Sequence, residues 1–222
     1  MKSVFVNERI VELPFVLQAL SALPQRSCVL DVGCNESPLA LQLACLGYRV
    51  TGYDFRGYPY KHPNLDALKG DILNMPFQDD YYDAVTAVST VEHLGLGFYD
   101  DPLMAEESDR RAIQEIKRVL KKDGLLLLTV PYGRKSISEQ QRIYNQGSLR
   151  CLLQDFEVEV ISFFKNVFVD PEKLNTWVQT SQSDISQVAS AQTTNGVCLV
   201  KARNKKKKGK MEAGNKFGRG HD

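Results

Sequence analysis

Three acidic residues at the ends of apolar segments are the first candidates for chemistry in this chain. Asp31 lies two positions before Gly33, inside a short run of valine and leucine. Asp54 ends a second segment, 21 residues after Gly33, and Asp71 follows the run Ala-Leu-Lys-Gly. The carboxyl ends of parallel strands meet at one edge of a sheet. We therefore expect these three carboxylates to surround a single pocket at that edge.

The charge of these residues restricts the ligand. A carboxylate at the first strand end repels a phosphate and attracts a cation, so Asp31 disfavours a pyrophosphate cofactor and favours a ligand with a positive amino-acid end. S-adenosyl-L-methionine has such an end and also carries a sulfonium. Asp54 could accept both ribose hydroxyls of an adenosine cofactor, a feature that S-adenosyl-L-methionine shares with NAD. Asp71 could accept the exocyclic amine of adenine.

The loop after the first strand has the sequence Asp-Val-Gly-Cys-Asn-Glu-Ser and contains one glycine, Gly33. Asn35 tolerates the left-handed backbone region better than most residues, and Ser37 before Pro38 is a suitable start for a helix. A strand, a bend and a helix N-terminus place backbone N–H groups around a small pocket. The loop is therefore expected to contact the cofactor.

Several short motifs occur in the order of a known family. They are Leu-Asp-Val-Gly-Cys, Gly-Tyr-Asp, Gly-Asp-Ile-Leu-Asn-Met-Pro-Phe, Tyr-Asp-Ala-Val and Val-Glu-His-Leu. Together with the leucine-rich run that ends at Val130, this order resembles the class I S-adenosylmethionine-dependent methyltransferases over about residues 26–132. It is similar to the ubiquinone-biosynthesis-like branch, which acts on small molecules. The first loop departs from the family pattern, because only the first of the usual glycines is present.

The resemblance implies a cofactor, a reaction and a set of contacts. The cofactor is S-adenosyl-L-methionine, no metal is expected, and the acceptor is a small molecule or a sugar-type compound that undergoes O-methylation by in-line transfer. The implied cofactor contacts come from successive strand ends and the loops beyond them: Asp31, Gly33, Cys34, Asn35, Asp54, Phe55, Asp71, Ile72 and Ser89.

His93 and Glu92 are the candidates for catalysis. His93 follows the strand predicted over residues 83–88, where the resembling enzymes often place a histidine, and it could act as the general base for a hydroxyl acceptor. Glu92 could orient His93, bind the substrate, or merely begin a helix, where an acid complements the helix dipole.

Two other functions stay open. An NAD-dependent oxidoreductase would share Asp54 and the fold, but it needs a Gly-x-Gly-x-x-Gly loop, which is absent here. A non-catalytic binding protein would keep the cofactor fold without turnover. The sequence after the fourth strand, Ser-Thr-Val-Glu, argues against the enzymes that methylate amino groups of bases or of glutamine, which carry Asn/Asp-Pro-Pro-Tyr there.

Apolar periodicity predicts an α/β fold, namely a three-layer, doubly wound sheet in a single domain, mostly parallel with an antiparallel edge hairpin. Helices are predicted over residues 7–23, 38–46, 107–121 and 148–153. Strands are predicted over residues 29–32, 49–53, 83–88, 125–130, 157–164 and 197–202. Residues 170–194 form a long connection with many Gln and Ser residues.

The composition fits one globular domain with a basic tail. The chain has 222 residues, of which 43% are hydrophobic and 25% charged, and it has no apolar run long enough to cross a bilayer. Residues 201–222 contain nine Lys or Arg against two Asp or Glu, a net charge of +7, whereas the whole chain carries +1. We predict a methyltransferase domain over residues 1–203 and a disordered tail over residues 204–222.

The remaining expectations concern partners and location. The body of the chain is slightly acidic, which argues against specific nucleic-acid binding, and the basic tail is expected to give at most nonspecific attraction. The five cysteines form no Cys-x-x-Cys pair, so neither a zinc site nor a disulfide framework is predicted. The N-terminus does not have the pattern of a signal peptide, so we expect a cytoplasmic protein, and the oligomeric state is left open.

Overall fold

The computed structural model describes residues 6–99, 107–168, 175–190 and 194–205. Its first part contains α1 (Arg9–Leu20), β1 (Cys28–Val32), α2 (Leu39–Cys45), β2 (Arg49–Asp54), β3 (Leu65–Lys69) and β4 (Tyr82–Val88). Short 3-10 helices, Ile72–Asn74 and Val91–His93, follow β3 and β4. The second part contains α3 (Ser108–Val119), β5 (Leu120–Pro131), β6 (Ser136–Ile137), β7 (Arg142–Ile143), α4 (Gln146–Leu152), β8 (Phe156–Phe168), β9 (Asn175–Thr180), α5 (Gln182–Ile185) and β10 (Gly196–Asn204).

One eight-stranded sheet organises the chain, with the order β3-β2-β1-β4-β5-β10-β8-β9. The five strands from β3 to β5 pair in parallel, and β10, β8 and β9 are antiparallel to their neighbours. The predicted α/β fold, with a mostly parallel sheet and antiparallel strands at one edge, is confirmed. The antiparallel part has one strand more than expected, because β9 lies in the polar connection and pairs outside β8.

Apolar residues on the two faces of the sheet explain its three layers. In β1, Leu30 and Val32 face one core together with residues of α3 and α4, whereas Val29 faces a second core with residues of α1 and α2. All five residues of β1 are buried, as expected for a central parallel strand covered by helices on both faces. The carboxyl ends of β1, β2 and β4 consequently lie side by side.

The end of the domain differs slightly from the prediction. Strand β10 continues to Asn204, which is fully buried and donates its side-chain N–H groups to the carbonyl oxygens of Lys117, Leu120 and Lys121 at 3.0, 2.9 and 3.3 Å. The first of these carbonyls lies in the last turn of α3, and the other two lie directly after the helix. Strand β10 thus extends one residue past the predicted boundary after residue 203, and most of the predicted tail, residues 206–222, lies outside the described residues.

The described residues contain neither a membrane-spanning helix nor a metal-binding cluster. No helix among them is long and apolar enough to span a membrane. They also contain no cluster of three or more His, Cys, Asp or Glu side chains arranged to hold a metal ion.

Candidate active site

A cavity of about 360 Å³ lies at the carboxyl ends of β1, β2 and β4. This volume is within the range of small-molecule sites in proteins, roughly 300–1,000 Å³. Many of the residues singled out in the sequence line it: Gly33, Asp54, Phe55, Ile72, Ser89, Glu92 and His93. The sheet therefore brings the predicted cofactor residues and the predicted catalytic residues to one place.

Gly33 begins the loop after β1 in a conformation that favours glycine. Its φ is +73°, and a Cβ atom placed on it would lie 2.3 Å from Cγ2 of Thr90. The hydroxyl of Thr90 in turn donates to the carbonyls of Val32 and Val88 at 3.2 and 3.0 Å. The loop is thus packed directly against the end of β4, and the backbone at Gly33 is exposed to the cavity without a side chain.

Asp54 is buried at the end of β2 and is held by backbone amides. Its Oδ2 accepts the N–H of Asn35 at 3.0 Å, and its Oδ1 accepts the N–H of Arg56 at 2.8 Å. The guanidinium of Arg56 lies 3.5 Å from Oδ1 and also pairs with Glu36 at 2.7 Å. The carboxylate therefore has a fixed orientation toward the cavity that Asp54 and Arg56 both line.

Four predicted cofactor residues are not among the residues that line the cavity: Asp31, Cys34, Asn35 and Asp71. The side chain of Cys34 is buried in the core against α2, and burial raises the pKa of its thiol. The side chain of Asn35 donates to the carbonyl of Gly57 at 2.8 Å. Asp71 is exposed and caps the 3-10 helix Ile72–Asn74 by accepting the N–H of Leu73 at 2.8 Å.

Asp31 is buried inside β1 and has one satisfied and one unsatisfied oxygen. Its Oδ1 accepts the hydroxyl of Thr86 at 2.6 Å, whereas its Oδ2 has no hydrogen-bond partner within the described part of the chain. Burial raises the pKa of this carboxyl to about 7, and the hydrogen bond from Thr86 and the charge of Arg9 oppose that rise. A ligand with a positive group near Asp31 would stabilise the ionised form.

The first helix contributes an ion pair that the sequence did not indicate. The buried carboxylate of Glu12 accepts the hydroxyls of Ser89 and Thr129, both at 2.7 Å, and pairs with Arg9 at 3.1 Å. Arg9 also donates to the carbonyl of Val88 at 3.1 Å and lines the cavity. Ser89 has a φ of +44°, a sparsely populated conformation for a residue with a side chain. Glu12 therefore holds α1 and the strained end of β4 together.

Glu92 is 1% exposed and lines the cavity, yet neither of its carboxyl oxygens forms a hydrogen bond with a described residue. Burial raises its pKa well above the usual range; the nearby Glu12 adds to this rise, and Arg9 opposes it. Its Oε1 lies 3.7 Å from Nε2 of His93. Without a ligand this side chain is expected to hold a proton.

His93 follows Glu92 in the 3-10 helix and reaches the cavity with its imidazole ring. Its Nδ1 lies 2.6 Å from the carbonyl oxygen of Gln140. A carbonyl only accepts hydrogen bonds, so Nδ1 carries the proton in the neutral ring and Nε2 carries the lone pair. Tyr99 packs edge-on against this ring at 5.1 Å, and Arg56 lies 4.4 Å from the centre of the Tyr99 ring.

The opposite wall comes from the hairpin of β6 and β7 and from the segment before β10. Gln140, Gln141 and Thr194 line the cavity there. Gln141 is buried, and its Oε1 accepts the hydroxyl of Thr194 at 3.2 Å while its Nε2 has no partner among the described residues. This wall offers amide groups next to His93 on the side away from β2.

The residues that the sequence reasoning missed are therefore Arg9, Glu12, Gln140, Gln141 and Thr194. Glu12 did carry a signal, because it occupies the buried stripe of α1 that Val16 and Leu20 continue at helical spacing. A charged residue in such a stripe needs a partner. Arg9 begins the same helix but lies outside its buried stripe. Gln140, Gln141 and Thr194 lie in segments without apolar periodicity and reach the cavity only through long-range contacts.

Comparison with known families gives one match within the chain. Residues 30–128 match the family described as "Methyltransferase domain". This range includes β1 to β4, the loop at Gly33, and both Glu92 and His93.

Curated proteins with similar sequences are methyltransferases. The tRNA (carboxymethyluridine(34)-5-O)-methyltransferase of Arabidopsis thaliana is 29% identical over 135 residues, which cover 57% of this chain and 29% of that protein. The 2-phytyl-1,4-naphtoquinone methyltransferase of Nostoc punctiforme is 30% identical over 158 residues, which cover 64% of this chain and 60% of that protein. The chain thus spans less than two thirds of the length of either relative.

Solved structures share the fold at low sequence identity. The 1,6-didemethyltoxoflavin-N1-methyltransferase of Burkholderia thailandensis, solved with 1,6-didemethyltoxoflavin and S-adenosylhomocysteine, has a TM-score of 0.58 and 13% identity, covering 88% of this chain and 79% of that one. The likeness covers more of the chain than residues 30–128, which match the family.

Proposed function

We propose that this chain, whose residues 30–128 match the family described as "Methyltransferase domain", is a class I S-adenosylmethionine-dependent methyltransferase. It transfers the methyl group of S-adenosyl-L-methionine to a hydroxyl of a small molecule. The observation that carries this proposal is the position of Asp54. Its two oxygens each accept one backbone amide. Since a carboxylate has roughly four lone-pair positions, both oxygens can still accept the two ribose hydroxyls of the cofactor.

The other residues at the strand ends fit the remaining parts of the cofactor. Gly33 lets the ligand approach the backbone, because no side chain stands between them. Arg9 offers a positive charge for the methionine carboxylate, and the unsatisfied oxygen of Asp31 suits the ammonium group. Buried Ile72 can pack on the adenine ring, with Asp71 next to its exocyclic amine.

The catalytic work left to the protein is positioning and proton transfer. S-adenosyl-L-methionine supplies a methyl group on a positively charged sulfur, which is a good leaving group. His93 supplies the base, because the hydrogen bond from its Nδ1 to Gln140 leaves the lone pair on Nε2. A hydroxyl acceptor bound against Nε2 can lose its proton there as the new bond forms.

The rim of the cavity supports a flat acceptor. Leu94, Phe98 and Tyr99 lie on one side, and Gln140 and Gln141 lie on the other. Aromatic rings and amide groups in this arrangement suit a planar molecule with hydroxyl or carbonyl substituents. The quinone methyltransferase of Nostoc punctiforme, similar over 64% of this chain, supports that class of acceptor.

RNA is the second candidate acceptor. It is favoured by the similarity to a tRNA methyltransferase and by the lysines at positions 205–208, which would attract a phosphate backbone. The carboxyl groups around the cavity oppose it, because Glu8, Glu36, Asp54 and Glu92 outnumber Arg9 and Arg56 there. The small molecule therefore remains the first proposal.

Calorimetric titration with S-adenosyl-L-methionine, S-adenosylhomocysteine and NAD tests the cofactor. We expect Asp54→Ala to weaken binding of the first two by about tenfold or more, since hydrogen bonds to a charged group are lost. Asp66→Ala, an exposed acid in the neighbouring strand β3, is the matched control and should bind like the wild type. NAD binding as tight as that of S-adenosyl-L-methionine would contradict the proposal.

A labelled methyl group then identifies the acceptor. The protein is incubated with labelled S-adenosyl-L-methionine and, in separate reactions, with a small-metabolite pool and with purified tRNA. Label in the metabolite pool supports the first proposal, and label in tRNA supports the second. Tight cofactor binding without transfer to either pool would favour a non-catalytic binding protein.

A further inference from the structure

The carboxyl group of Glu92 lacks the partners that a buried acid normally has. It is 1% exposed, and within residues 6–99, 107–168, 175–190 and 194–205 neither oxygen forms a hydrogen bond. Burying an ionised carboxylate without a partner is strongly unfavourable, so most buried acids are paired or hydrogen-bonded. An unpaired acid in the wall of a ligand cavity is therefore expected to find its partner in the ligand.

Apart from Nε2 of His93, which lies 3.7 Å from Oε1 of Glu92, the neighbouring positive groups make their described contacts with other atoms. Arg9 donates to the carboxylate of Glu12 and to the carbonyl of Val88. Arg142 donates to the backbone carbonyl of Glu92 at 3.2 Å and to that of Leu94 at 2.7 Å, rather than to the carboxyl group. The ring of His93 holds its proton on the side of Gln140.

The electrostatic surroundings keep Glu92 neutral until a cation arrives. Burial raises its pKa most, its own backbone amide lowers it, the acids Glu12 and Glu8 raise it further, and Arg9 lowers it. The other titratable or charged groups that face it are His93, Tyr99, Arg142 and Tyr144. A positive ligand group would add the attraction that the cavity now lacks and would favour the ionised form.

The location of Glu92 indicates which positive group this is. The proposed ligand has two, the ammonium of its amino-acid end and the sulfonium. We assign the ammonium to the unsatisfied oxygen of Asp31, although Asp31 itself is not one of the residues that line the cavity. Glu92 is 3.7 Å from Nε2 of His93, the atom proposed to take the proton of the acceptor. A base that acts on the acceptor must lie near the reacting methyl group, and so must its neighbour Glu92.

We propose that Glu92 is the counter-ion of the sulfonium and that it allows the cavity to distinguish S-adenosyl-L-methionine from S-adenosylhomocysteine. The inference rests on the proposed function. The two ligands share the ammonium, the carboxylate and the adenosine, and they differ in the methyl group and the positive charge on sulfur. Binding of the methyl donor ionises Glu92 and releases its proton to solvent.

The same proposal accounts for the proton of the acceptor. During transfer the bond between sulfur and methyl breaks, the bond between the acceptor oxygen and methyl forms, and His93 takes the hydroxyl proton. The sulfur is then neutral, so Glu92 has lost its counter-charge and takes up a proton, for which protonated His93 at 3.7 Å is a source. His93 returns to its neutral form. Because the sulfur of S-adenosylhomocysteine is neutral, the cavity binds this product more weakly than the methyl donor, which favours release of the product.

Titration calorimetry of Glu92→Gln with both ligands tests this role. Glutamine has the shape of the protonated acid and cannot ionise. We expect it to weaken S-adenosyl-L-methionine by about tenfold or more, the size of a lost charge-assisted contact, and to change S-adenosylhomocysteine little. Glu36→Gln, which removes a carboxyl group at the exposed rim of the same cavity, is the charge control and should leave the ratio of the two affinities unchanged.

A second measurement needs no variant. Titrations near pH 7 in buffers with different ionisation enthalpies count the protons released on binding. The wild-type protein should release more protons with S-adenosyl-L-methionine than with S-adenosylhomocysteine, and this excess should vanish in Glu92→Gln. The affinity for S-adenosyl-L-methionine should also fall relative to that for S-adenosylhomocysteine as the pH is lowered, since Glu92 then stays protonated.

Three outcomes separate the possibilities. Equal weakening of both ligands in Glu92→Gln would place the carboxyl group at the ammonium and overturn the proposal. Unchanged affinities and equal proton release would place it at the acceptor and overturn it as well. Failure of the wild-type protein to bind either ligand would instead reject the proposed function, whatever the variants do.

Discussion

The Nδ1 atom of His93 lies 2.6 Å from the carbonyl oxygen of Gln140, a residue 47 positions later in the chain. The contact joins the end of the parallel half of the sheet to the hairpin of β6 and β7. It fixes both the direction of the imidazole ring and the nitrogen that carries the proton. The hairpin thereby takes part in preparing the proposed base, although it contributes no side chain to the proton transfer itself.

Removal of the imidazole should affect turnover rather than cofactor binding. His93→Ala is expected to lower the turnover number by about 10²–10⁴, the usual effect of losing a general base. The affinity for S-adenosyl-L-methionine should stay within experimental error, as judged by calorimetry. His62→Ala, in the loop between β2 and β3, is the matched control and should keep full activity. A His93→Ala protein with most of its turnover would show that the base lies elsewhere.

Gly33 and Gly47 form a natural pair for testing the loop at the cavity. Both have positive φ, +73° and +92°, but a Cβ atom at Gly33 would meet Thr90, whereas nothing lies within 4 Å of one at Gly47. Alanine at either position should therefore share the cost of the left-handed conformation. Gly33→Ala should lower the free energy of unfolding by about 1–3 kcal/mol more than Gly47→Ala does, because only the Cβ at position 33 clashes with Thr90. Denaturant titration of both variants measures the difference, and equal losses would contradict the packing described here.

The buried carboxyl of Asp31 should make stability depend on pH. Its pKa is raised by burial from the ordinary 3.8 to about 7. The folded state therefore binds more protons than the unfolded state between these values, and the stability of the ligand-free protein should fall as the pH rises from about 4 to about 7. Above that range the contribution should be constant.

Asp31→Asn isolates this contribution, because asparagine can still accept the hydroxyl of Thr86 and does not ionise. The stability of the variant relative to the wild type should increase as the pH rises from about 4 to about 7 and then level off. Denaturant titrations at several pH values measure it. A difference that does not change with pH would mean that Asp31 has the same pKa in the folded and unfolded states.

Two truncations should locate the end of the folded domain. Deletion of residues 206–222 should leave the melting temperature and the cofactor affinity unchanged. Deletion of residues 204–222 also removes Asn204, whose side chain donates to three carbonyls at the C-terminal end of α3 and directly after it. Burying unsatisfied carbonyls costs about 1–3 kcal/mol, so this shorter protein should melt several degrees lower. Equal melting temperatures for the two truncated proteins would show that Asn204 is dispensable.

The parallel half of the fold could be predicted because its signals are local. Strand β1 is a run of apolar residues around one acid, and α3 repeats Ile113 and Ile116 at helical spacing. Each of these patterns occupies consecutive residues. Asp54 could also be placed correctly, since its position at a strand end follows from the strand itself.

The acceptor side could not be predicted in this way. Strands β6 and β7 have two residues each, too few to show alternation, and β9 carries polar residues along most of its length. Their positions are determined by pairing with distant segments. The role of Glu12 likewise depends on Ser89 and Thr129, which are far away in sequence. Long-range contacts of this kind leave no periodic trace in the sequence.

The placement of Gln140, Gln141 and Thr194 outside residues 30–128 makes the acceptor wall an exchangeable part of the molecule. The residues proposed to hold the methyl donor lie in that range or in α1, so a transplanted β6–β7 hairpin would leave them in place. A library of hairpin variants could therefore be screened for new acceptors, and the affinity of each variant for S-adenosyl-L-methionine should stay unchanged. Any replacement must present a carbonyl to His93, as Gln140 does, and must keep a donor at position 142 for the carbonyls of Glu92 and Leu94.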